Sequence, residues 1–184
     1  HIVLDGTLVK NNDDKLDVLS GIAIHEKLHV IHTNPLTAWE ERYVYDNGLN
    51  HMQSKLLHSI ANTIEDEYIE KQLAKDNAGF VSYIAATKDY YFDRKIKLNL
   101  DEGDTAGQYN DILNTLLALV RYPEAIDNER KMRHAKHIRF FARALTNALD
   151  SRENTIKCIE TLYKYMSQLA QKMGDKVGDE DSKE

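Results

Sequence analysis

His25, Glu26 and His29 stand in the order HExxH within the stretch DVLSGIAIHEKLHVIHT, residues 17–33. On a helix the two histidines lie one turn apart on one face, so both imidazoles can reach a single metal ion. Glu26 is rotated about 100° from His25, beside the coordination position that the histidines leave open. A general base for a metal-held water belongs there. The pattern alone arises in roughly 2% of chains shuffled at this composition, so its surroundings must decide. Around it Val18, Leu19, Ile22, Ala23, Ile24, Leu28, Val30 and Ile31 make a helix hydrophobic nearly all round. That predicts a buried helix, whose histidines and glutamate need partners, and a metal is the simplest partner for all three.

Two histidines do not hold a catalytic zinc, which takes three protein ligands and keeps one open position. The supply is in HSIANTIEDEYIE, residues 58–70, where Asn62, Glu65, Asp66 and Glu70 recur at spacings of three and four. They form a polar stripe on a helix whose other side is apolar, and one of the acids is the expected third ligand. His32 lies seven residues from His25 on nearly the same face. The chain has no glycine after His29 to make the turn of the HExxHxxGxxH pattern, so His32 is expected to line the site rather than to ligate. His51 and His58 are expected at the surface or along a cleft.

The pair GIAIHEKLHVIHTN and NTIEDEYIE resembles a zincin-like metallopeptidase domain found in bacteriophage proteins and beside von Willebrand factor A-type domains, including the cobaltochelatase T-subunit-like proteins. Gly21, His25, Glu26 and His29 match its first motif, and Asn62, Glu65, Asp66, Ile69 and Glu70 its second. Tyr68 stands where an arginine is usual, which puts any clamp made there in doubt. The resemblance covers about residues 2–72. It implies a zinc-dependent peptidase with an acidic third ligand, gluzincin-like, with a peptide or protein substrate and a place inside a bacterial host cell or a virion. On this reading Glu65 comes first as ligand, close ahead of Asp66. Asp66 or Glu70, or Asn62, would hold the outer nitrogen of a ligating histidine. The oxyanion donor is left open among Tyr68, Tyr90, Tyr91, His51 and His58.

These residues must be positioned by a mostly α chain. With 184 residues, 42% apolar, two prolines and eight glycines, it is expected to build one core from long helices. Residues 2–9 read as a strand or hairpin arm, giving an α+β zincin-like core over residues 1–100. A helical extension over 101–173 packs on that core, and the acidic tail 174–184 is expected to be disordered. Helices are predicted over 17–33 and 49–75, over part of 80–100, from about 105 to 121, from Pro123 to Leu149, and from Ser151 to Met173. Residues 35–50 form a connection with room for a short helix.

The single cysteine, Cys158, excludes an intrachain disulfide and a cysteine zinc site, and reads as a small core residue. No stretch is apolar enough for a membrane span. The net charge of −6 is uneven, since residues 130–143 carry six Lys or Arg and no acid. A nucleic-acid surface there is the weaker reading, because Phe140, Phe141, Leu145 and Leu149 interleave at core spacing. The competitor to peptidase function is a zinc-stapled structural or assembly protein, a phage scaffold or virion component.

Overall fold

The computed structural model describes residues 14–91, 100 and 108–173, and among them the chain is mostly helical, with no strand. The strand arm expected at residues 2–9, the extended piece after residue 91 and the acidic tail lie outside the described residues. Eight α-helices are described: α1 (Asp14–His32), α2 (Asn34–Asp46), α3 (His51–Asp76), α4 (Val81–Tyr91), α5 (Gln108–Arg121), α6 (Asn128–Arg133), α7 (Ala135–Leu145) and α8 (Arg152–Met173).

The longest, α3, holds the rest together. Asn50 accepts from Gln53 N while the Gln53 side chain accepts from Asn50 N, a capping box that fixes where α3 starts. One side of α3 presents Leu57, Ile60, Ala61 and Ile64 to Ile112 and Leu116 of α5, Phe141 of α7, and Ile159, Leu162 and Met166 of α8. Its C-terminal half presents Ile69 and Leu73 to Leu28 of α1 and Ile84 of α4. At about 25 cal/mol per Å² of apolar surface, this burial is the main stabilising term for both ends of the helix. Between the two apolar clusters runs the polar stretch 65–70, so the hydrophobic packing itself sets the acids against α1.

Helix α1 lies closest to α4, and Gly21 is the reason. A Cβ built there would meet Thr87 Oγ1 at 2.0 Å and Tyr83 O at 2.1 Å, so only glycine admits this approach. The α1 helix is not buried on every side: Val18, Leu19 and Leu28 are covered, but Leu16, Val30 and Ile31 are 60%, 71% and 57% exposed. The all-round apolar pattern therefore overstated its burial, because α3 and α4 cover only two of its faces.

Pro35 sits in the first turn of α2 instead of opening a loop, since its fixed φ suits a helix start. The helix expected from Pro123 to Leu149 is broken three ways. Pro123–Ala125 is a 3-10 turn, Asp127 caps α6 through Arg130 N, and the chain kinks at His134 before α7. The kink coincides with a buried anchor, His134 Nε2 to Asp111 Oδ2 at 2.5 Å, with Arg130 on the other oxygen of Asp111. Arg130 and His134 of the basic run are thus spent inside the fold, which sequence spacing could not reveal. Cys158 is buried, and burial pushes its thiol up to about 12.

Candidate metal centre

The pairing of α1 with α3 is antiparallel, and it brings His25, His29 and Asp66 together. His29 Nε2 lies 3.0 Å from His25 Nε2, and Asp66 Oδ1 lies 3.4 Å from His25 Nε2 and 3.2 Å from His29 Nε2. Among the described residues these three form the group of donor atoms close enough to share one ion.

The outer nitrogens of both histidines are held. His25 Nδ1 is 3.0 Å from Glu70 Oε1. A carboxylate only accepts, so Nδ1 carries the proton and Nε2 of the neutral ring is a bare lone pair. His29 Nδ1 is 2.9 Å from Thr33 Oγ1, whose hydroxyl donates to Glu65 Oε1 at 3.0 Å. Thr33 must therefore accept from His29, and Nε2 of His29 is again a lone pair. Two lone pairs and a carboxylate oxygen then point at one spot. Asp66 Oδ1 is buried there without a well-directed hydrogen bond, and three converging acceptors repel unless a cation or proton lies between them.

In the metal-free chain a proton takes that place. Burial by itself pushes the His25 imidazolium down, but Asp66 and Glu70 outweigh it and lift its pKa to about 9. Burial pushes Asp66 up, but the two histidines and Arg121 hold it well below the usual carboxylate range.

The surrounding charge is organised in two layers. Glu67 and Glu70 share Arg121 and Lys88: Arg121 reaches them at 3.0 and 3.1 Å, Lys88 at 2.5 and 3.0 Å. Against burial, these cations and His25 keep Glu70 below its ordinary range. Glu65, 1% exposed, is clasped by both guanidinium nitrogens of Arg152, which also donates to His32 O and lies 4.2 Å over the Tyr68 ring. Four acids in residues 65–70 face three cations, leaving one negative charge at the centre of the group.

The sequence expectations are thus sorted by geometry. His25 and His29 meet, and Glu70 orients His25. Glu65, expected first as the third ligand, is turned to Thr33 and Arg152, and Asp66 stands at the histidines instead. Adjacent helix positions differ by about 100°, so only one of the two could face α1. The missed signal is the spacing of four from Asp66 to Glu70, which matches that from His25 to His29. His32 joins through its carbonyl. Asn62 is exposed, one turn before Asp66, and lines a cleft of about 490 Å³ with Glu40, His51, Lys55, Ser59 and His58. His58 pairs with Glu40 at 3.0 Å. Glu26 is exposed on α1. Tyr68 lies under the guanidinium of Arg152. Thr33, Lys88, Arg121 and Arg152 complete the site, and of these only Thr33, four residues after His29, carries a readable signal in the sequence.

No helix among the described residues is long and apolar enough to cross a membrane. Comparison of the chain with protein-family models, with curated proteins and with solved structures finds no match.

Proposed function

We propose that His25, His29 and Asp66 bind a zinc ion and that the chain is a zincin-like metallopeptidase acting inside a bacterial cell or a phage particle. The observation that carries the metal reading is the convergence of three acceptor atoms at 3.0, 3.2 and 3.4 Å. Corners of a tetrahedron with bonds of about 2.0–2.1 Å lie roughly 3.3–3.4 Å apart, so the donors need shift only by tenths of an ångström. Two imidazoles and a carboxylate suit zinc, and a set of three protein ligands leaves a fourth corner open, unlike a closed structural site.

Zinc held by His25, His29 and Asp66 would polarise the scissile carbonyl and acidify an attacking water. Glu26, next to His25 and open to solvent, would act as the general base and then as the acid toward the leaving amine. Glu70 and Thr33 hold the two imidazoles in the tautomer that presents Nε2. The cleft between α2 and α3 begins at Asn62, on the same face of α3 as Asp66, and offers an extended peptide a path to the site.

The test separates binding from hydrolysis. Purified chain carries one equivalent of zinc, and Glu26→Gln keeps it while losing about 10²–10⁴-fold in peptide hydrolysis. A zinc-loaded chain that cleaves no member of a mixed peptide library would leave a metal protein that is not a peptidase.

A further inference from the structure

Thr33 occupies the N-cap position of α2, where a threonine hydroxyl ordinarily accepts from the backbone N–H groups of the first turn. Here it makes no cap hydrogen bond. The hydroxyl turns inward, between His29 Nδ1 at 2.9 Å and Glu65 Oε1 at 3.0 Å. Glu65 is nearly inaccessible and is gripped by Arg152, the first residue of α8. The same guanidinium donates to His32 O, a terminal carbonyl of α1, and rests on Tyr68. One arginine from the C-terminal part of the chain therefore reaches the end of the helix that carries both histidines.

We propose, resting on the metal reading above, that Thr33, Glu65 and Arg152 are positioning residues that set the affinity of the site for its metal. Arg152 orients Glu65, Glu65 accepts the hydrogen bond of the Thr33 hydroxyl, and Thr33 is thereby left only an acceptor toward His29. The imidazole is fixed with its proton on Nδ1 and its Nε2 lone pair aimed at the ion. Metal binding and the seating of the first turn of α8 then favour one another, since each requires the same hydrogen-bond chain. His25 has no such dependence on α8, because Glu70 is held by Lys88 and Arg121.

The relay makes a prediction that general packing does not. In titrations of the full chain with Co²⁺, followed by its visible bands, Thr33→Val weakens binding about 10–100-fold, and Thr33→Ser restores it to within ~3-fold. Arg152→Met weakens it comparably. The double variant is no weaker than the worse single one, because both break one chain. In ¹⁵N-histidine spectra of the zinc form, wild type and Thr33→Ser show a protected Nδ1–H on His29, and Thr33→Val does not. Should Thr33→Val not fold, Arg152→Lys keeps a charge against Glu65 without the fork and binds cobalt about tenfold more weakly. A folded Thr33→Val or Arg152→Lys with unchanged affinity overturns the relay, as does a double variant whose loss equals the product of the single losses. Wild-type chain that binds neither Co²⁺ nor Zn²⁺ overturns the metal reading itself.

Discussion

Neighbouring carboxylates on α3 have opposite work. Asp66 faces the Nε2 atoms of two imidazoles, whereas Glu65 is 1% exposed and neutralised by Arg152. Exchanging either for its amide therefore gives different outcomes. Asp66→Asn abolishes stoichiometric zinc at micromolar concentrations and leaves the fold in place, because the site is at the edge of the core. Glu65→Gln leaves an arginine short of its counter-ion in a largely buried position and lowers stability by about 3 kcal/mol, read as a shifted urea midpoint, with zinc retained at reduced affinity. The two acids were readable in sequence as a pair of candidates. Which one faces α1 depends on the rotation of α3, and that is fixed by Ile69 and Leu73 packing on Leu28, in a segment about forty residues earlier, and on Ile84 of the following helix.

At the level of elements, the site depends on how closely α1 approaches α4. Thr87 of α4 shares its hydroxyl proton between Tyr83 O and Val18 O of α1, at 3.0 and 3.1 Å, directly across from Gly21. A methyl group at position 21 meets backbone, which cannot move aside as a flexible side chain does. Gly21→Ala is expected to cost about 1–3 kcal/mol and to weaken metal binding as well, since displacing α1 carries both histidines away from Asp66. Thermal unfolding and a cobalt titration on the same variant check both effects. Helix order was largely legible, from periodicity in α3, α5 and α8 and from Pro35 just past the end of α1, although α2 was read only as a connection with room for a short helix. The division of residues 123–149 was not, because the break at His134 answers to Asp111, a buried carboxylate on another helix. In the same way, the three cations around the acids come from α4, α5 and α8, so no local pattern announces them.

Across the whole molecule, the polar centre of the metal-free chain holds a proton that the proposed metal would displace, and this gives stability a pH dependence of definite sign. His25 has an ordinary pKa of 6.5 and a folded, metal-free value of about 9. Its contribution is complete below 6.5 and is lost as pH rises through 9, up to about 3 kcal/mol for the contact it makes with Asp66 and Glu70. Asp66, held low, reports the same contact and adds a loss only in acid. Urea titrations of metal-free chain should therefore show stability declining between pH 6.5 and 9, a decline absent in His25→Gln and in zinc-loaded chain. Metal affinity should climb with pH over the same interval as the competing proton leaves. The central claim is the position of the ion and the identity of its acidic ligand. Anomalous diffraction at the zinc edge, from crystals of the zinc-loaded chain, tests it most directly. The account predicts one peak about 2.0–2.2 Å from His25 Nε2, His29 Nε2 and an Asp66 carboxylate oxygen, with Glu65 still on Arg152. A peak elsewhere, no peak between the two histidines, or a peak ligated by Glu65 would contradict it.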